Sequence, residues 1–143
     1  MRHLLDINVL IALMDEAHAF HHRAHAWWEV EVRPWASCPL TENGLIRIMA
    51  SSSYSKTTCF AVHDIASRLS HFAGHSDHVF WPDSLSLLDD RTFQHASILS
   101  SKHLTDLYLL ALAVENKGRL VTFDQHIPLS SVTTAGVGHL EVI

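Results

Sequence analysis

Cysteine is scarce in this sequence of 143 residues, and its scarcity excludes two classes of small protein. Cys38 and Cys59 are too few for a disulfide framework, and neither belongs to a closely spaced pair of the kind that binds zinc. We therefore predict that the protein works in a reducing compartment, and we expect a cytoplasmic location.

Basic residues are also few. Lys and Arg total 10 against 15 Asp and Glu, so the formal net charge is −5 when histidine is neutral. Proteins that bind nucleic acid non-specifically normally carry a basic surface, and this composition argues against that class. It does not exclude a nuclease whose own carboxylates hold metal ions.

No hydrophobic run has the composition of a membrane span. The apolar stretch after Arg2 resembles a signal peptide, but Asp6, Asn8 and Asp15 interrupt it. Linker-like segments, internal repeats and low-complexity tracts are absent from the sequence as well. Because 48% of the residues are hydrophobic and the length suits one core, we predict a single globular domain over residues 1–143.

Short apolar runs alternate with helical patterns along the chain. Strands are predicted at 3–5, 35–38, 78–81, 119–123 and 137–142, and helices at 7–16, 18–31, 41–49, 57–72 and 105–116. Gly118 is expected to close the last helix as its C′ residue. The alternation predicts an α/β fold, a three-layer α/β/α sandwich in which helices cover a mostly parallel sheet of four to five strands.

Four acidic residues are predicted to meet at one edge of this sheet. Asp6 follows the first strand and Asp124 the fourth, while Glu42 and Asp106 lie in the first turns of helices. In a parallel sheet, the carboxyl ends of the strands and the amino ends of the following helices share one edge. Taken singly, each acid is better explained by a helix cap, worth about 1 kcal/mol, or by the helix dipole, worth about 0.3–1 kcal/mol.

Taken together, the four carboxylates would repel one another. Two of them 4 Å apart repel by roughly 4 kcal/mol at an effective dielectric constant near 20, several times the stabilisation from a cap. A bound divalent cation removes this conflict, and oxygen ligands suit Mg²⁺ or Mn²⁺ better than zinc. Such ions activate water and stabilise phosphate charge in phosphodiester hydrolysis.

Four segments carry a resemblance to a known family: LLDIN at 4–8, TENGLIR at 41–47, LTDLYLLALA at 104–113 and LVTFD at 120–124. In their order and spacing they resemble the acidic motifs of PIN-domain ribonucleases, above all those of the VapC toxins of toxin–antitoxin systems. The resemblance implies a metal-dependent endoribonuclease that acts on RNA and is blocked by a cognate VapB-like antitoxin. It also implies a homodimer formed through the early helices.

The resemblance assigns roles to individual residues. It implies that Asp6, Glu42, Asp106 and Asp124 are the catalytic metal ligands, directly or through water, for Mg²⁺ or Mn²⁺. It makes Asn8 and Thr122 polar helpers beside them. These motifs do not identify the RNA target.

Two further features leave alternatives open. Arg47 is equally compatible with a contact to phosphate or to the antitoxin and with a solvated position on its helix. His18, His21, His22 and His25 include a pair spaced i, i+4 that could bind a transition metal. A partly exposed polar face is the preferred interpretation of these histidines, because no carboxylate completes a recognised metal motif.

Two other classes of function are alternatives to a nuclease. A phosphoacceptor receiver domain needs an acidic pair after the first strand and a lysine after a late strand, whereas no lysine follows Lys117. A catalytically silent binding module, in which the acids only cap helices, would show no saturable binding of Mn²⁺. Metal binding and RNA cleavage therefore separate the three classes.

Overall fold

One sheet of five short strands forms the centre of the molecule. The computed structural model describes the whole chain, Met1–Ile143. The strands are β1 (His3–Leu5), β2 (Trp35–Ser37), β3 (His78–Phe80), β4 (Arg119–Thr122) and β5 (Leu140–Val142). They are ordered β3-β2-β1-β4-β5, and every pairing is parallel. The predicted parallel sheet is confirmed.

Helices cover both faces of this sheet. They are α1 (Ile7–Met14), α2 (His21–Glu29), α3 (Pro39–Met49), α4 (Val62–Gly74) and α5 (Leu104–Glu115). Leu4 and Leu120 share one buried core with α5, whereas Leu5 and Val121 share the other with α1, α3 and α4. The predicted three-layer sandwich is therefore confirmed. None of the helices combines the length and the apolar character needed to cross a lipid bilayer.

Most of the predicted elements are shorter than expected by one to five residues, and α2 covers only His21–Glu29 of the predicted 18–31. Helix α4 begins at Val62 instead of residue 57, because the N–H groups of Thr57 and Thr58 each donate to the Ser55 hydroxyl at 3.2 Å. Such local side-chain bonds hold the backbone in a turn and compete with helix formation. The last strand covers only Leu140–Val142, since residues 137–139 form a 3₁₀ turn.

The histidines of α2 have structural partners at the end of α1. Nδ1 of His21 lies 2.7 Å from the carbonyl oxygen of Ala12, and Nε2 of His25 lies 3.2 Å from that of Leu13. The last carbonyls of a helix have no partner within it and are often satisfied by side chains. The preferred interpretation of these histidines as a polar face thus agrees with their contacts.

The end of α5 differs from the prediction by one residue. Gly118 donates its N–H to the Ala113 carbonyl at 2.8 Å, and Lys117 donates to that of Val114 at 3.0 Å. These are the two bonds of a Schellman motif, in which Lys117, at φ 55°, occupies the left-handed C′ position. Gly118 serves a close approach instead, since an added Cβ would lie 2.6 Å from the carbonyl oxygen of Arg2.

Candidate active site

Asp6 lies at the carboxyl end of β1 and caps the amino end of α1. Its Oδ1 accepts a hydrogen bond from the Ile7 N–H at 2.7 Å, and its Oδ2 accepts one from the Thr122 hydroxyl at 2.8 Å. Only 5% of the residue is exposed. Burial raises the pKa of the Asp6 carboxyl and the charge of Asp124 adds to the rise, while the two hydrogen bonds oppose it.

Thr122 connects Asp6 with Asp124. It ends β4, which pairs with β1, and its side chain is fully buried. Its hydroxyl donates to Asp6 and accepts a hydrogen bond from the backbone N–H of Asp124 at 3.1 Å. One hydroxyl therefore contacts two candidate site residues, and the role of Thr122 as a polar helper stays a prediction.

Asp106, in the first turn of α5, has a strongly perturbed carboxyl group. Burial, together with the smaller effects of the charges of Asp6 and Asp124, raises the pKa of Asp106 to about 7. No ion pair of the chain includes any of these three aspartates. Their negative charge is therefore left without a cationic side chain to compensate it.

A histidine that is absent from the predicted site joins this cluster. A ring nitrogen of His103, a carboxylate oxygen of Asp106 and one of Asp124 all lie within 4.8 Å of one another. His103 directly precedes α5, three residues before Asp106. That spacing places two side chains on the same side of a helix and is the one sequence signal for His103, which is otherwise one of 13 histidines.

Glu42 is hydrogen-bonded to the end of β2. Its Oε1 accepts a hydrogen bond from the Ser37 hydroxyl at 2.7 Å, and the same hydroxyl lies 2.8 Å from Nε2 of His78. Glu42 also lines a cavity between α3 and α4 together with Ile46 and Leu69. The charges of Asp6 and Asp124 act on the pKa of Asp106, whereas Glu42 is not among the charges that shift the pKa of Asp6 or Asp106. A role for Glu42 as a metal ligand stays a prediction.

The packing of α3 explains the position of Glu42. Gly44 faces α1 so closely that an added Cβ would lie 2.7 Å from Cγ1 of Ile7. Residues two apart in a helix of 3.6 residues per turn point in nearly opposite directions. Glu42 therefore points away from α1 and towards α4. A shared sheet edge fixes where a helix begins but not how the helix is rotated.

The two remaining predicted residues lie on the surface. Asn8 is exposed in the first turn of α1, and Arg47 is exposed in the last turn of α3. Neither side chain takes part in a hydrogen bond or an ion pair within the chain. Both are free to contact a ligand or a partner, and their roles stay predictions.

The donors of the cluster fit a divalent cation. Carboxylate oxygens from Asp106 and Asp124 lie close enough together to bind one ion, and Asp6 stands beside them with its carboxylate held in place. The buried Nδ1 of His103 has no hydrogen-bond partner. Anionic oxygens and one imidazole are ligands for Mg²⁺, Mn²⁺ and related ions. A cation would also compensate the charges of Asp6 and Asp124, which add to the effect of burial on the pKa of Asp106.

Known proteins with similar sequences carry one family name. The chain is 42% identical over 145 aligned positions to "Ribonuclease VapC44" of Mycobacterium tuberculosis, with 100% of both chains covered. It is 36% identical over 147 positions to "Ribonuclease VapC39" of the same organism, again with 100% of both covered. For "Ribonuclease VapC29", also from M. tuberculosis, the identity is 36% over 85% of this chain and 84% of that protein.

A family model also matches most of the chain. The model of the PIN domain matches residues 3–131, a segment that contains every candidate site residue from Asp6 to Asp124. The matched segment also contains β1 to β4 and all five α-helices. The chain therefore belongs to the PIN-domain family.

Proposed function

We propose that this protein is a metal-dependent endoribonuclease that acts as the toxin of a toxin–antitoxin system. The observation that carries the proposal is the cluster of Asp6, Asp106 and Asp124 at the carboxyl edge of the sheet, whose negative charge no cationic side chain compensates. Similarity to proteins named ribonucleases over the full length of the chain supports RNA as the substrate.

The proposed cofactor is Mg²⁺ or Mn²⁺. Asp106 and Asp124 would hold the ion, with Asp6 beside them. When bound, such an ion lowers the pKa of a water molecule and stabilises negative charge on a phosphate. The chain's own hydrogen bonds prepare this site, because the Thr122 hydroxyl and the Ile7 N–H hold both oxygens of Asp6 in fixed positions. A carboxylate fixed in advance loses little further freedom when it binds an ion.

Few basic side chains are available to contact RNA. Four of the ten arginines and lysines form ion pairs with acidic residues. Lys102 forms none, is exposed, and directly precedes His103 in the turn before α5. We propose that this lysine contacts the phosphate backbone of the RNA. For Arg47 a contact with phosphate or with the antitoxin stays a prediction.

A VapB-like antitoxin is the proposed protein partner. The support for it is the full-length similarity to proteins named VapC. A homodimer formed through the early helices and a cytoplasmic location are predictions on the same basis. Co-purification with an antitoxin encoded beside the gene would test the partner directly.

An RNA-cleavage assay tests the proposed activity. We expect EDTA to abolish cleavage by the wild-type protein, and Mn²⁺ or Mg²⁺ to restore it. Asp106→Asn should reduce the rate by about 100-fold or more, since the lost charge stabilises bound metal by several kcal/mol. Glu115→Gln is the matched control, because Glu115 is exposed at the opposite end of the same helix.

Two results would contradict the proposal. One is undiminished cleavage in EDTA, and the other is equal cleavage by wild type and Asp106→Asn at matched purity. The alternative is a silent binding module, which the local hydrogen bonds of two aspartates favour: Asp6 caps α1, and Asp124 accepts a hydrogen bond from the His126 N–H at 2.7 Å within a turn. Such a module would cleave no RNA, and Mn²⁺ would leave its melting temperature unchanged.

A further inference from the structure

The position of His103 is not explained by the structure of its own segment. His103 ends the 3₁₀ turn Ser101–His103 and stands at the N-cap position of α5. Residues at this position usually satisfy a free N–H of the first turn with a side-chain oxygen. The His103 side chain makes no such capping bond. Helix capping therefore gives no reason for its orientation.

One atom of the His103 ring is buried without a partner. Nδ1 is the only buried side-chain nitrogen or oxygen atom in the chain that has no hydrogen-bond partner. Leaving such a group unsatisfied destabilises the folded protein. The protein compensates every other buried polar side-chain atom, so a missing ligand at this ring is the simplest account.

The surroundings of the ring supply the other donors of a metal site. A ring nitrogen of His103 lies within 4.8 Å of oxygens from both Asp106 and Asp124, and those two oxygens lie equally close to each other. Ligands bonded at about 2.0–2.2 Å to one ion stand roughly 3–4.4 Å apart. A small inward movement of the side chains would bring all three onto a single ion.

We propose that His103 is a nitrogen ligand of the metal ion at this site. The inference rests on the proposed function, and it adds a residue of a different chemical type to the carboxylates. One imidazole among carboxylates favours later first-row ions over Mg²⁺, since Mg²⁺ prefers oxygen ligands. His103 would therefore set the preference of the site for Mn²⁺ over Mg²⁺.

Pulsed electron paramagnetic resonance of bound Mn²⁺ detects such a ligand directly. We expect the full-length wild-type protein with Mn²⁺ to show coupling to a directly bound nitrogen, which changes when the histidines are labelled with ¹⁵N. The coupling should disappear in His103→Gln. It should persist in His126→Gln, the matched control, because His126 is exposed and lies two residues from Asp124.

Calorimetry gives a second measurement on the same variants. His103→Gln should weaken Mn²⁺ binding by about tenfold and Mg²⁺ binding by about threefold or less. Circular dichroism melting shows whether His103→Gln is folded. Whether or not it is, bound Mn²⁺ without nitrogen coupling in the wild type overturns the role of His103.

The outcomes separate this inference from the proposed function. Bound Mn²⁺ without nitrogen coupling in the wild type, or coupling that persists in His103→Gln, overturns the role of His103. Metal-dependent RNA cleavage would still stand in that case. Failure of the wild type to bind Mn²⁺ at all overturns both the role of His103 and a Mn²⁺-dependent activity.

Discussion

The carboxyl group of Asp106 is unfavourably placed in its charged form. Its pKa of about 7, against an ordinary value of 3.8, arises first from burial and then from the charges of Asp6 and Asp124. The folded protein therefore holds a proton on Asp106 at a pH where the unfolded chain has already released it. Because of this group, the free energy of unfolding of the metal-free protein decreases as the pH rises from about 4 to about 7.

Asp106→Asn should therefore stabilise the metal-free protein. We expect a gain of about 1–2 kcal/mol in the free energy of unfolding at pH 8, less than the full shift implies because water screens the partly exposed carboxyl. The gain should shrink as the pH falls through 7 and vanish below about pH 4, where the carboxyl is neutral in both states. Urea unfolding in EDTA at several pH values measures it.

The comparison with wild type isolates the effect of Asp106. Burial lowers the pKa values of His3 and His78 in both proteins, so their contributions to the pH dependence cancel in the difference. Glu115→Gln controls for the loss of a carboxylate from α5. A lower stability of Asp106→Asn than of wild type at pH 8 would show that repulsion does not dominate at this site.

At the scale of elements, the ends and rotations of helices decide which side chains meet. The first turn of α5 carries Asp106 and follows His103, so both approach Asp124 at the end of β4. In α3, close packing of Gly44 on Ile7 turns Glu42 towards Ser37 instead. A hydrophobic pattern predicts that a helix exists. It does not predict this rotation, which depends on one contact between two helices.

The Schellman motif at the end of α5 gives a prediction about stability. Lys117 adopts a left-handed conformation that is unfavourable for a residue with a Cβ, so Lys117→Gly should stabilise the protein by about 0.5–1 kcal/mol. Glu115→Gly, in the last turn of the same helix, should destabilise it by about the same amount. Urea unfolding of both variants checks this, and a less stable Lys117→Gly would argue against the motif.

At the scale of the whole molecule, the parallel topology was predictable and it accounts for most of the site. Alternating apolar runs indicated a parallel sheet, and a parallel sheet brings the ends of β1 and β4 to the same edge. That is why Asp6 and Asp124 meet across 118 residues of sequence, joined by Thr122. The same rule predicted the position of Asp106, since α5 begins at that edge.

The features that escaped prediction depend on single contacts between distant residues. His103 is one of 13 histidines, and only the fold shows that its ring faces Asp106 and Asp124. The late start of α4 depends on the hydroxyl of Ser55, which accepts two backbone hydrogen bonds. The direction of the Glu42 side chain, towards Ser37, depends on how α3 packs against α1. The periodicity of hydrophobic residues along the chain does not predict such contacts.

The central claim is that one divalent ion is held by the aspartates at the carboxyl edge of the sheet. Anomalous diffraction from crystals soaked in Mn²⁺ tests it most directly. We predict a manganese peak at bonding distance, about 2.2 Å, from oxygens of Asp106 and Asp124 and from a ring nitrogen of His103, with Asp6 beside it. A peak beside His21 and His25 alone, or no peak at the aspartates, would contradict the account.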